Sequence, residues 1–154
     1  MRKHLFIFTF SLLILPVFAY SQTAQKVEDL LNTQAVSNEQ AAWLILEAAD
    51  ISGPAGILTE AEAFRYASDK KWFPASSQAN GKARLDRVSA LIMQAFNMSG
   101  GILYNLTKNH HYAYRELVHR VVIVGRADPQ MDVTGYELLY MVNRILNYQE
   151  AGIL

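Results

Sequence analysis

The amino-acid sequence predicts an all-α protein of three helix-loop-helix repeats, whose inner helices pack as a central three-helix bundle. Apolar residues recur every three or four positions, as they do along one face of a helix, and no stretch shows the sustained alternation typical of a strand. In addition, one strongly apolar helical segment recurs three times along the chain. Together these two observations predict the fold class and the repeat plan.

The positions at which helices begin are indicated by capping boxes. In a capping box, a Ser or Thr oxygen accepts from a backbone N–H three residues on, and a Glu or Gln side chain reaches back. The sequence contains three, at Ser37–Gln40, Thr59–Glu62 and Thr134–Glu137. With the turn-rich loops between them, they predict helices over residues 24–32, 38–50, 60–70, 85–98, 110–124 and 135–149.

The repeat is visible when the chain is compared with itself. Residues 40–53 superimpose on residues 87–100 with their apolar positions and closing Ser-Gly in register, and residues 137–147 supply a third copy. All three copies are apolar around most of their circumference, so we expect them to be buried against one another. A chance match between helices of an ordinary bundle is the alternative. The repeats are predicted to span about 23–53, 57–101 and 108–150.

The N-terminus has the pattern of a Sec-type signal peptide over residues 1–21. A short basic stretch precedes the apolar run 5–15, and the small residues Ala19 and Ser21 offer two cleavage positions. An uncleaved anchor helix is the alternative, but the run is shorter than the roughly 20 residues that span a bilayer. We therefore expect an exported protein, periplasmic, on the cell surface or extracellular, with residues 22–154 as one domain and no membrane span after cleavage.

Composition and charge exclude several classes of function. The sequence has no Cys, so disulfide bonds cannot stabilise it. The 14 basic and 14 acidic residues balance, and loss of Arg2 and Lys3 with the signal peptide leaves the exported part slightly acidic. A protein that binds nucleic acid phosphates needs a basic surplus or a basic face. Nucleic-acid binding is therefore disfavoured.

The starts of the inner helices resemble those of the surface layer homology (SLH) family. In that family each inner helix opens with a Thr-Arg-Ala-Glu motif, which follows a Gly-rich turn and a loop containing Pro. Here Thr134 and Glu137 match the Thr and Glu of the motif, and they follow a Gly turn and an Asp-Pro pair within 124–129. Segments 36–42 and 83–89 occupy the same place in the other two copies. The resemblance covers nearly all of the chain after the signal peptide.

The resemblance implies a three-pronged spindle whose grooves bind cell-wall polysaccharide, often pyruvylated, through the Arg of the motif. At that position this chain has Asn38, Leu85 and Gly135, so no copy keeps the guanidinium that pairs naturally with a carboxylate. Two other Arg residues flank the second position and offer a partial substitute, the alternative being that they are solvated residues at a helix start. The candidate ligand-binding residues all lie at helix starts. They are Asn38, Gln40, Arg84, Arg87, Thr134 and Glu137.

A search for catalytic or metal-binding chemistry gives one remote candidate. Glu116 and His119 lie on one helix face, as in half of a di-metal carboxylate site, with His110 and His111 nearby. The second Glu-x-x-His of such a site is missing, and no nucleophile elbow, phosphate loop, dinucleotide fingerprint or zinc motif occurs. The sequence favours a protein that is not an enzyme and needs no cofactor or metal.

The function that the sequence favours is a non-catalytic envelope protein that binds cell-wall polysaccharide or another envelope protein. The alternative is a periplasmic structural or assembly protein that has lost polysaccharide binding. Aromatic residues near the predicted loops offer a surface for stacking on a sugar or for a partner, with core packing as their other role. They are Trp72, Phe73, Tyr104, Tyr112, Tyr114 and Tyr148.

Overall fold

The computed structural model describes residues 24–53, 56, 58–125 and 128–153. Within these ranges the protein is all-α, as predicted, and none of the helices there is long and apolar enough to cross a membrane. The predicted signal peptide and its cleavage site lie outside the described residues. The helices are α1 (24–31), α2 (Asn38–Ala48), α3 (Glu60–Asp69), α4 (Leu85–Ala95), α5 (Ile102–Thr107), α6 (His110–His119) and α7 (Gly135–Glu150).

The three predicted capping boxes are all formed. In α2, the Ser37 hydroxyl accepts from the Gln40 N–H at 3.2 Å, and the Gln40 side chain accepts from the Ser37 N–H at 2.9 Å. Helices α3 and α7 begin with the same pair of bonds. Because each box satisfies two backbone N–H groups that a helix start leaves without partners, these starts are fixed by local sequence and were predicted to the residue.

Two helix ends differ from the prediction by three residues or more. Helix α6 ends at His119 instead of 124, and α4 ends at Ala95 instead of 98. After α6 the chain turns at Val121, whose φ is 60°, and Val122 donates its N–H to the Leu117 carbonyl at 2.9 Å. This left-handed turn closes the helix. The apolar periodicity continues beyond the turn because Val122 returns to the core.

Replacing Val121 with Gly is expected to stabilise the protein by about 1 kcal/mol. A β-branched residue in the left-handed region is strained by about 1–2 kcal/mol, whereas Gly adopts this conformation freely and loses only some chain entropy. Little burial is lost, since Val121 is 50% exposed. Urea unfolding followed by circular dichroism measures the change. Val118→Gly, inside α6, is the matched control and should destabilise by about 1 kcal/mol; a destabilised Val121→Gly variant would contradict the expectation.

Helix α5 was not predicted at all. Its six residues are too few to show a period, and they follow Gly100 and Gly101, which indicate a loop. Tertiary contacts hold the helix instead. The Glu116 carboxylate of α6 accepts from the Gly101 N–H at 2.7 Å, and the Asn105 side chain donates to the Gly100 carbonyl at 2.6 Å. The Glu116 bond joins residues 15 positions apart on two different elements, so a local pattern cannot reveal it.

The largest helix contacts are between consecutive parts of the chain. Helix α3 packs against α2, and α6 packs against α4, while α2 also contacts α4 and α7. The core is formed chiefly by α2, α4 and α7. Helices α2 and α4 are buried around most of their circumference, as expected, whereas α7 buries only one face. Their apolar side chains with almost no exposed surface include Ile45, Leu46, Leu91, Ile92, Leu138 and Ile145.

The starts of α2, α4 and α7 meet in a closed ring of backbone hydrogen bonds. Val36 donates its N–H to the Val133 carbonyl at 2.9 Å, Val133 donates to Ala83 at 3.0 Å, and Ala83 donates to Val36 at 2.8 Å. Each of the three is buried and directly precedes the N-cap residue of its helix. The ring therefore fixes the N-termini of the three core helices around one point.

Candidate functional site

The three positions at which the resemblance expects Arg are all buried. The Asn38 side chain donates to the Gln78 carbonyl at 2.8 Å, and Leu85 lies in the core. At Gly135, a Cβ atom would overlap the backbone carbonyl of Leu30 at the end of α1. A side chain at any of these positions therefore faces the interior instead of a ligand.

Three further candidate residues are occupied in helix caps. Gln40 completes the capping box of α2, as described above. The Thr134 hydroxyl accepts from the Glu137 N–H at 3.2 Å, and the Glu137 carboxylate accepts from the Thr134 N–H at 2.9 Å. These bonds account for the polar groups of the motif residues that this chain retains.

Arg84 is held by a buried carboxylate that sequence reasoning did not single out. Asp86 is 4% exposed and accepts from Arg84 Nη2 at 2.9 Å and from Arg84 Nε at 3.3 Å. Its Oδ1 also accepts from the backbone N–H of Arg87 at 2.8 Å, and His110 Nε2 lies 3.4 Å from its Oδ2. Asp86 thus neutralises Arg84 and caps α4, whose N-cap residue Arg84 carries no hydroxyl.

Arg87 lines an open pocket of about 250 Å³, hereafter the basic pocket. Its walls come from the residues after α3, from one side of α4, and from the turn between α5 and α6. Three lining residues are cationic, namely Lys71, Arg87 and Lys108, and His110 adds an imidazole that faces Asp86; none of the described lining residues is itself acidic. Across the described ranges, the Arg87 guanidinium makes no hydrogen bond or ion pair, so it is free to bind an anion.

Helix ends bring the lysines and an aromatic wall to this pocket. Lys71 follows α3 and Lys108 ends α5, both in the left-handed conformation, with φ of 60° and 51°. The Lys108 ammonium lies 4.6 Å from the centre of the Tyr104 ring, a cation–π contact that positions it. Trp72 is half-buried in the pocket wall and packs edge-on against Tyr66, with ring centres 5.8 Å apart. Cations beside an indole face suit a ligand with both a sugar ring and a negative charge.

A groove between the end of α6 and the start of α7, hereafter the apolar groove, has a different character. It has a volume of about 310 Å³ and is lined mainly by apolar and aromatic side chains, with Glu137 as its acid. The second and third repeats are offset by 50 residues. At this offset, Glu137 corresponds to Arg87, and Tyr140 corresponds to Ala90. Of these two corresponding places, only the first presents a surplus of positive charge.

The histidines of the remote metal hypothesis are not brought together. His110 faces Asp86, His111 stacks edge-on against Tyr112 with ring centres 5.7 Å apart, and Glu116 is bonded to Gly101. In the part of the chain that the structure covers, no group of three or more His, Asp or Glu side chains lies close enough to hold a metal ion.

Comparison with known proteins adds no template for this site. No family model, curated protein or solved structure matches the chain. The pocket's own geometry and charge must therefore carry any functional proposal. The sequence had pointed to Arg87, but it gave no sign that Lys71, Lys108 and His110 would converge on it, because they belong to three separate elements.

Proposed function

We propose that this protein is a non-catalytic module of the bacterial cell envelope that binds an anionic cell-wall polysaccharide in the basic pocket. The observation that carries the proposal is the unpaired Arg87 guanidinium in a pocket where Lys71, Lys108 and His110 are also basic. A guanidinium binds a carboxylate through two parallel hydrogen bonds, which gives both strength and orientation. Trp72 offers an apolar face for the sugar ring. The predicted signal peptide supports a location outside the cytoplasm for this activity.

The arrangement of the core helices supports an SLH-like architecture. The residues of the backbone ring, Val36, Ala83 and Val133, are separated by 47 and 50 positions, which is the spacing of the sequence repeat. Three equivalent segments arranged around an axis would form a ring of this kind. The basic pocket then lies between consecutive repeats, where the resemblance implies a ligand groove. In this chain the cation comes from Arg87, two residues beyond the position of the motif Arg.

The proposal is tested by co-sedimentation with isolated cell-wall sacculi that retain their attached polymer. The full chain is produced with its own leader and purified as the host exports it. We expect Arg87→Ala to weaken binding about tenfold or more, since a hydrogen bond to a charged group contributes about 1.5–3 kcal/mol. Arg65→Ala removes the same charge from the exposed face of α3 and should bind like the wild type. Binding should also fall with added salt.

Two results would overturn the assignment. Equal binding by Arg87→Ala and Arg65→Ala would show that the basic pocket is not the site. Equal binding to polymer whose carboxyl groups have been chemically reduced would show that the ligand is not recognised through its charge. The first comparison tests the residue and the second tests the ligand chemistry.

A second candidate function is that of an assembly protein which has lost polysaccharide binding. The apolar groove favours it, because Tyr136 and Tyr140 stack there at 6.4 Å between ring centres and are both exposed. Exposed tyrosines beside an apolar surface are typical of protein interfaces. This function predicts no sedimentation with sacculi and a stable complex with an envelope protein, lost on Tyr136→Ala plus Tyr140→Ala.

A further inference from the structure

Helix α5 carries an unusual concentration of exposed aliphatic side chains. In the ranges that the structure covers, Ile102 and Leu106 are the most exposed large hydrophobic residues, at 85% and 79%, and Leu103 is 51% exposed. Ile102 and Leu106 lie one turn apart and share a helix face. Single exposed apolar residues are ordinary, but three within five positions form a surface. These three residues are called the α5 patch below.

The fold holds this patch firmly, so its exposure is not the result of a loose loop. Tyr104, on the opposite side of α5, is buried, and burial together with the nearby Glu116 charge raises the pKa of Tyr104 to about 12. The loop before α5 is fixed by the Glu116 and Asn105 bonds described above. Arg120 adds a bond from its Nη2 to the Ser99 carbonyl at 2.7 Å. Polar contacts thus anchor one side of α5 while its aliphatic side faces solvent.

The segment that carries the α5 patch is basic. Between residues 99 and 121 the sequence has Lys108, Arg115 and Arg120 against the single acid Glu116, although the whole chain has no net charge. Glu116 is already engaged by the Gly101 N–H. Arg115 and His119 line the same shallow groove as Ile102 and Leu103. Residues 99–121 therefore carry a net positive charge, and Arg115 is the cation that shares a groove with the aliphatic side chains.

We propose that the α5 patch is a peripheral attachment site for an anionic phospholipid surface. Aliphatic side chains on a short, exposed helix enter the boundary between headgroups and acyl chains, while adjacent Lys and Arg side chains keep their charges at the phosphates. Negative surface potential attracts this basic segment and repels the acidic remainder of the exported chain. A partner protein would have to offer a cavity shaped to this patch, whereas a bilayer deforms around it. The inference does not depend on the basic pocket.

The test is co-sedimentation with vesicles of phosphatidylglycerol and phosphatidylcholine, and with vesicles of phosphatidylcholine alone. We expect the exported protein to bind the anionic vesicles, with weaker binding as salt rises. Ile102→Ser plus Leu106→Ser should lower the partition coefficient at least tenfold. The matched control is Leu31→Ser plus Val124→Ser, which removes two exposed aliphatic side chains elsewhere and should bind like the wild type. All variants keep the same N-terminus, so a difference between them reports on α5.

Circular dichroism first establishes that each double variant is folded. Equal binding by both double variants, or no binding of the wild type to anionic vesicles, would overturn the proposal. Loss of binding in Arg87→Ala but not in the α5 variant would overturn it too, by showing that lipid phosphate occupies the basic pocket. Leu106→Trp adds a direct readout: its fluorescence should shift to the blue with anionic vesicles, and an unchanged spectrum would contradict insertion.

Discussion

Replacing Gly135 with Ala is expected to lower the free energy of unfolding by about 3 kcal/mol or more. The added methyl group would overlap the Leu30 carbonyl, and its next neighbour is the Leu31 nitrogen at 3.3 Å. These are backbone atoms of α1, which cannot turn away as a flexible side chain can. The Gly135 N–H also donates to the Thr33 carbonyl at 2.9 Å, so displacement of this segment breaks that bond. Overpacking of this kind usually costs about 1–3 kcal/mol, and more when backbone must move.

Urea denaturation, followed by the fluorescence of the buried Trp43, measures this loss. The control is Tyr136→Ala at the next position of α7, whose side chain is exposed. It should change the unfolding free energy by less than about 1 kcal/mol. A Gly135→Ala protein as stable as the wild type would mean that α1 does not lie on the start of α7. The same overlap excludes Arg at Gly135, which explains why the third motif position cannot carry a ligand-binding cation.

Asp86→Ala is expected to destabilise the protein by about 2–3 kcal/mol. The change leaves Arg84 without its carboxylate and the Arg87 N–H without its cap, which together contribute more than either bond alone. Partial exposure of Arg84 keeps the loss below that of a fully buried pair. Asp86→Asn should lose less than half as much, because the amide oxygen still accepts from one N–H. Thermal and urea unfolding at neutral pH measure both variants.

The matched control is Asp132→Ala. Asp132 accepts from Lys82 at 2.8 Å, but both side chains of this ion pair are exposed, and solvent screens their attraction. Its removal should therefore cost much less than the removal of Asp86. If the two substitutions have equal effects, burial of the Asp86 carboxylate does not contribute to stability in the way proposed.

Local signals in the sequence predicted most of the helices. The capping boxes at Ser37, Thr59 and Thr134 depend on residues three apart, so a short segment contains everything needed to recognise them. The end of α6 was missed because Val121 adopts a conformation that β-branched residues rarely adopt. Helix α5 was missed because its partner Glu116 is supplied by another helix.

The candidate site was only partly predictable. Arg87 was chosen because it lies near a motif position, and it does line the basic pocket. The motif positions themselves were wrongly expected to reach a ligand. Whether Asn38 or Leu85 faces solvent depends on how neighbouring segments cross the helix starts, and both are buried. The role of Asp86 follows from its burial, which no spacing rule revealed. Convergence of side chains from the segment after α3, from α4 and from the turn between α5 and α6 is a tertiary property.

The closed hydrogen-bond cycle of Val36, Ala83 and Val133 restricts how this protein can change in evolution. Linear repeat arrays gain or lose a unit at either end, because each unit contacts only its neighbours. Here, loss of any one of the three segments leaves a buried donor on one remaining segment and a buried acceptor on the other without hydrogen-bond partners. We therefore expect the chain to unfold in a single cooperative step. Descendants should add or delete whole domains of three segments, never one segment at a time.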